Sequence, residues 1–152
     1  MAVCLKNFGI GAWAARRVIF KDVLSNDRSF VTMSELLDKV ADTHIDPYGK
    51  FKYILINVLD KASGKNKYIV RGYASAPYHT DILERFTSTL KDLPGLKVEC
   101  KGGGRIQHDP DEKTILVYGY SQGFGMADHA TSVEILKRQY PDYQISMSNE
   151  GY

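Results

Sequence analysis

Apolar residues along this chain fall into dense short runs or recur at three- and four-residue steps, and each pattern predicts an element. Phe51 to Leu59 is rich in β-branched and aromatic residues and reads as a largely buried strand. A polar, glycine-containing loop, Lys61 to Lys67, separates it from a returning strand at Tyr68 to Tyr73. Ile82, Leu83, Phe86, Leu90 and Leu93 then recur at helical spacing, predicting a helix from about Ala76 to Leu90. Ser75 is its expected N-cap, Pro77 belongs in the first turn, and Pro94-Gly95 ends it. Leu96 to Cys100 reads as a strand, and Gly102-Gly103-Gly104 as a bulge or bend. Arg105 to His108 and Thr114 to Tyr120 form a second hairpin around Asp109-Pro110-Asp111. The loop Ser121 to Gly125 leads into a helix from about Ala127 to Tyr140, stopped by Pro141, and Tyr143 to Met147 is a last short strand. Directly adjoining hairpins with two helices predict an α+β domain, its six-stranded sheet mixed or antiparallel.

Upstream the pattern is weaker. Ser34 to Ala41 is a short helical candidate capped by Ser34, and Asp46-Pro47-Tyr48-Gly49 is a turn. The expected organisation is an N-terminal extension over 1–44 and a single domain over 45–152. Residues 1–21 carry Lys6, Arg16, Arg17 and Lys21 with no Asp or Glu, interleaved with apolar residues. That is the composition of a mitochondrial transit peptide, or equally of a solvated tail, and Met33 offers an internal start. Without a transit role for this segment, the expected compartment is the cytoplasm.

Composition narrows the function classes. With 152 residues, 43% hydrophobic and 25% charged, the chain is long enough for one cored domain. A net charge of +2 sets up no strong field, so no nucleic-acid partner is expected, and any anion must be captured locally. Two cysteines, Cys4 and Cys100, make no disulfide framework and suit a reducing compartment. No apolar run approaches the ~20 residues of a membrane span, so no membrane partner is expected. Spacings for a metal are missing among His44, His79, His108 and His129, and no cofactor is expected. A monomer is the expected state.

Two segments carry candidate chemistry. In Arg71-Gly-Tyr-Ala-Ser-Ala-Pro-Tyr-His79, Tyr78 and His79 fall in an opening helical turn. Orphan N–H groups and the helix dipole there favour an anion and disfavour imidazolium, which is what a histidine base or nucleophile needs. A lone first-turn histidine is nonetheless most often a surface residue. In Tyr118-Gly-Tyr-Ser-Gln-Gly-Phe-Gly125, a strand ends in a glycine-punctuated loop before a helix. Its amides can converge on an anion, with the Ser121 hydroxyl as a further donor, although such glycines can simply turn the chain. Lys52, Arg71 and Arg105 could add positive charge if they project into one pocket. Cys100-x4-Arg105 is one residue short of the cysteine-phosphatase loop and has no helix after it. The triple glycine is no phosphate-binding P-loop, because no Gly-Lys-Ser/Thr ends it.

At these motifs the chain resembles a known family. Lys50-Phe-Lys-Tyr, Val70-Arg-Gly-Tyr, Tyr78-His-Thr-Asp-Ile, Glu99-Cys-Lys-Gly-Gly-Gly-Arg-Ile, Val117-Tyr-Gly-Tyr-Ser, Asp128-His-Ala and Tyr140-Pro-Asp-Tyr occur in one order, closing on Glu150-Gly-Tyr152. Together they resemble the janus family, which comprises small phosphohistidine phosphatases and the insect sex-regulated janus and ocnus proteins. The likeness covers about Ile45 to Tyr152, and Tyr-Gly-Tyr-Ser-Gln-Gly-Phe-Gly is most similar to the janus-A branch. It implies a six-stranded sheet with two helices and metal-independent hydrolysis of the P–N bond in phosphohistidine-containing proteins. The alternative it carries is a non-catalytic phosphoryl-binding regulator with a role in sex differentiation. By position, the resemblance implies that His79 is catalytic, with Tyr78 beside it. It implies that Ser121 and the Gly123 main chain contact phosphate, where the phosphatase branch can carry alanine at the latter position. Lys52, Arg71 and Arg105 are the implied substrate-side cations, and His129 matches a retained histidine read as structural.

Overall fold

The computed structural model describes residues 35–150. Expectations for the transit segment, the Met33 start, the Ser34 cap and the terminal Gly-Tyr pair lie outside these residues. Six strands form one mixed sheet: β1 (Thr43–Ile45), β2 (Gly49–Asp60), β3 (Asn66–Tyr73), β4 (Leu96–Asp109), β5 (Thr114–Tyr118) and β6 (Gln144–Met147). Their order across the sheet is β1-β3-β2-β4-β5-β6. The four central strands pair antiparallel, and each edge strand joins parallel to its neighbour. Among the described residues the helices are a single turn, α1 (Glu35–Asp38), then α2 (His79–Thr89), extended by a 3-10 turn at Leu90–Asp92, and α3 (His129–Gln139).

Burial on both faces explains the uninterrupted apolar run of β2. Phe51, Tyr53 and Leu55 pack with Ile106, Val117, Val133 and Leu136 under α3. The alternate residues Ile54, Ile56 and Val58 pack with Ile69, Ile82 and Phe86 under α2. This is the period-2 alternation of a central strand with a helix on each side. Leu37 and Val40, from α1 and the turn after it, are buried in the α2-side cluster.

Two of the expected strands, Leu96–Cys100 and Arg105–His108, are one continuous strand, β4, and the three-residue β1 completes the six. The triple glycine does form a bulge. Ile54 faces Gly103 and Ile56 faces Cys100, so β4 has one residue more than β2 across this step. Both long helices begin later than their apolar spacing suggests. The Asp81 carboxylate accepts from the Tyr78 N–H at 2.9 Å, which makes Tyr78 the N-cap of α2, with extended backbone. Ser75 and Pro77 thus precede the helix, with Ala76 N–H donating to Tyr73 O in a turn. In α3, Asp128 is the N-cap and accepts from the N–H groups of Ala130 and Thr131 and from the Thr131 hydroxyl. Among the described residues no helix is long and apolar enough to cross a membrane.

Asp128 gives a direct test of the second helix start. Asp128→Ala is expected to cost about 1 kcal/mol in urea unfolding, and Asp128→Asn distinctly less, because an amide oxygen still caps. The hydrogen bonds from Thr131, above all, hold the Asp128 carboxyl below its usual 3.8. A depressed folded-state value stabilises the fold above pH 3.8, and that share is lost as pH falls through the lower folded value. The acid limb of a stability–pH curve should therefore be shallower in Asp128→Asn.

Candidate active site

A cavity of about 310 Å³ opens where the start of α2, strand β2 and the loop before α3 meet. Strand β2 contributes Lys52, the α2 entrance contributes Pro77 to Thr80, and the loop contributes Ser121 to Phe124. Tyr78, at 69% exposure, stands at the rim, whereas His79 is 8% exposed. Five of the expected residues, Lys52, Tyr78, His79, Ser121 and Gly123, thus line one cavity.

His79 is the first residue of α2, and its Nε2 lies 3.0 Å from the carbonyl oxygen of Gly104. A carbonyl only accepts, so Nε2 carries the proton and the lone pair of a neutral ring sits on Nδ1. The ring is held neutral at pH 7. Burial lowers its pKa, the Lys52 and Arg105 charges lower it further, and the Gly104 hydrogen bond opposes them only in part. The Lys52 ammonium donates to Pro77 O at 2.7 Å, which ties β2 to the α2 entrance.

The loop is closed on itself. Ser121 N–H donates to Gly125 O at 3.1 Å, and Gly125 N–H returns to Ser121 O at 2.8 Å. The buried Ser121 Oγ accepts from Phe124 N–H at 3.2 Å, so its own proton is uncommitted. Among the described residues the N–H groups of Gln122 and Gly123 have no acceptor. On the helix side, the N–H groups of His79 and Thr80 belong to the first turn, which has no intrahelical acceptors for them. The cavity therefore combines amide donors, a hydroxyl, an ammonium and a neutral imidazole, with no carboxylate among its lining residues. This is the donor set of a site for a tetrahedral oxyanion.

Within the triple glycine, Gly103 lies directly against His79 and Ser121. A Cβ at Gly103 would lie 2.8 Å from His79 Cδ2 and 3.2 Å from Ser121 Cβ. On the opposite face, a Cβ at Gly104 would lie 2.5 Å from Tyr118 O and 3.0 Å from His129 Cε1. Gly103 also holds the loop, its N–H donating to Gly125 O and its carbonyl accepting from Ala127 N–H. Sequence reading gave this run a backbone role but missed the close approach. Three glycines inside a strand are the signal for it. Pro77, Thr80, Gln122 and Phe124 carry no mark of their own that would have assigned them to the cavity.

The remaining expected residues lie elsewhere. His129 is on the far side of the sheet, where Nε2–H donates to Gly119 O at 2.8 Å. Its Nδ1 therefore accepts from the Tyr53 hydroxyl at 2.6 Å, and burial lowers its pKa. The α3 N-terminus does not line the cavity, although the loop before it does. The second wall is the loop. Arg105 faces Lys52 across the β2–β4 pairing and its charge reaches His79, but it is not a lining residue. Arg71 lies on β3, beyond β2, with its guanidinium 5.0 Å from the Phe86 ring centroid and bonded to Val70 O and Ala41 O. Phe86 is seven residues along α2 from His79, about 10 Å by helical rise, so Arg71 belongs to a separate cavity. Among the described residues, no three His, Cys, Asp or Glu side chains cluster as metal ligands.

Two measurements check this geometry. Gly104→Ala should lower stability by on the order of 1–3 kcal/mol, because the backbone carbonyl of Tyr118 cannot retreat. Gly123→Ala meets nothing within 4 Å and should shift stability by less than about 0.5 kcal/mol. In an NMR pH titration of the folded protein, the His79 ring should titrate below 6.5, its ordinary value. Protonation is penalised more in the folded chain than in the unfolded one. The sign is therefore a loss of stability as pH falls from 6.5 through the folded value.

Comparison with known proteins identifies the family. The model of the Janus/Ocnus family matches residues 37–144. The sex-regulated protein janus-A of Drosophila melanogaster is 52% identical over 118 residues, covering 78% of this chain and 86% of that protein. Janus-A of Drosophila pseudoobscura pseudoobscura is 48% identical over 120 residues, with 76% and 80% covered. The 14 kDa phosphohistidine phosphatase of Sus scrofa is 43% identical over 121 residues, with 76% and 95% covered. A match across this span, at this identity and on this fold, makes the chain a member of the Janus/Ocnus family.

Proposed function

We propose that this protein is a protein histidine phosphatase that hydrolyses the P–N bond of phosphohistidine with no metal, using His79 as its catalytic group. The observation that carries the reading is a buried neutral imidazole. Its Nε2–H is spent on Gly104 O, while its other nitrogen keeps a lone pair beside amide donors and an ammonium. The 14 kDa phosphohistidine phosphatase, 43% identical to this chain, supports the substrate class.

The P–N bond is labile, so holding the phosphoryl group in line and offsetting charge on its equatorial oxygens is most of the task. In this reading the Gln122 and Gly123 amides, the first-turn amides of α2 and the Ser121 hydroxyl grip those oxygens, and Lys52 offsets their charge. His79 Nδ1 then takes a proton from an in-line water, or attacks phosphorus itself to give a phospho-His79 that water hydrolyses. Either way the P–N bond breaks, the departing imidazole nitrogen takes up a proton, and inorganic phosphate leaves. A cavity of about 310 Å³ accepts a phosphoryl group and one imidazole ring, which requires the phosphohistidine to project from its parent protein. Tyr78 at the rim offers a ring face on which that imidazole can stack.

The test is phosphate release from a phosphohistidine peptide in EDTA, set against phosphotyrosine and phosphoserine peptides. Wild type should turn over only the first, and His79→Ala should lose roughly 10²–10⁴-fold in kcat while circular dichroism stays native. Full activity in folded His79→Ala would refute the assignment. Saturable binding of the phosphopeptide with no release by wild type would instead identify a phosphoryl-binding regulator.

A further inference from the structure

A second cavity, about 290 Å³, lies under α2 on the β3 side and takes no part in the proposed hydrolysis. Its apolar surface comes from Val40, Phe86, Leu90 and Leu93, and its charged surface from Lys39, Arg71 and Arg85. Arg71 is the unusual group, at 5% exposure. Buried guanidinium groups are ordinarily paired with a carboxylate, because removing an isolated charge from water is costly. Arg71 has no such pair among the described residues. Among the described residues its hydrogen bonds are one N–H to Val70 O and one to Ala41 O, with the Phe86 ring beneath, which leaves three of its five donors without an acceptor there.

The nearby carboxylates are taken. Asp42, whose charge reaches Arg71 without a salt bridge to it, accepts from Lys67 at 2.9 Å and lies 3.9 Å from Arg138, and Asp46 accepts from Ala74 N–H at 2.6 Å. Arg85 lies over the Tyr73 ring at 4.7 Å and donates to Ser75 Oγ, again with no acid. His44 shares a 2.9 Å hydrogen bond with the Tyr73 hydroxyl at the same cavity. Three cations and a histidine thus surround an apolar hollow that contains no carboxylate.

We propose that this cavity is a binding site for a small organic anion, a carboxylate or phosphoryl group on an apolar body. The oxyanion meets Arg71 and Arg85, and the apolar body rests on Phe86, Leu90 and Leu93. The site is independent of the His79 cavity. Its charge would select the anion, and its volume, at the low end for small-molecule sites, would limit the ligand to about one ring.

Amide NMR of the full chain, titrated with benzoate, phenyl phosphate and neutral benzyl alcohol, tests this. Benzoate should shift the amides of Val40, Ala41, Arg71, Thr89 and Leu90 saturably and leave Gln122 and Gly123 in place. Benzyl alcohol should bind at least tenfold more weakly. Phenyl phosphate shifting the same amides where benzoate does not would assign the phosphoryl form of the anion. Arg71→Gln should weaken binding at least tenfold and Arg85→Ala at least threefold. If Arg71→Gln does not fold, the exposed Arg85 decides. The proposal is overturned if neither aromatic anion shifts this set, if benzyl alcohol binds as well as the anions, or if folded variants bind unchanged.

Discussion

Between residues 102 and 104, β4 presents bare backbone to both faces of the sheet, and the helix starts on either side press onto it. His79 bonds to Gly104 O, and its ring lies where a Gly103 side chain would be. His129 occupies the place of a Gly104 side chain on the other face. Gly103 pairs with the backbone of Gly125 and Ala127, so the residue whose bare Cα gives the imidazole room also seats the loop. A Cβ at Gly103 would push apart His79 and Ser121, two of the groups that make the cavity. The tautomer of His79, the position of Ser121 and the approach of the loop to α2 all follow from that one contact surface.

Much of the fold was legible because β2, β3 and the two long helices announce themselves by density or by step. The glycine run is where periodicity fails, and for a definite reason. Val98 and Cys100 pack with the α2-side cluster, whereas Ile106 packs on the α3 side, although all three are even-numbered. The bulge inserts one residue and inverts the phase of the alternation, so the strand reads as two. The three residues of β1 are too few to show a period. Helix starts were misplaced because apolar spacing reports where a helix is buried, whereas carboxylates at residues 81 and 128 decide where it begins.

The candidate cavity was legible in the two segments that wall it but less so in its charges. Lys52 and Arg105 face one another across two strands, and Arg71 pairs with Ile54 on the same face, so strand parity alone treats the three cations alike. What separates them is α2, whose Phe86 lies over Arg71. No local pattern encodes which strand a helix will cross. The electrostatic outcome is that burial and two cations disfavour the imidazolium, in a cavity whose lining side chains include no carboxylate.

The paired hydrogen bonds between Ser121 and Gly125 have a consequence for how ligands come and go. A three-residue span pinned at both ends, and pinned again through Gly103, has few conformations left to lose when a guest arrives. Its ordering entropy is settled during folding, so association needs no closure step and its rate is set by encounter and orientation. Departure is equally unhindered, which under the proposed hydrolysis suits a surface that meets one protruding side chain after another and holds none of them for long.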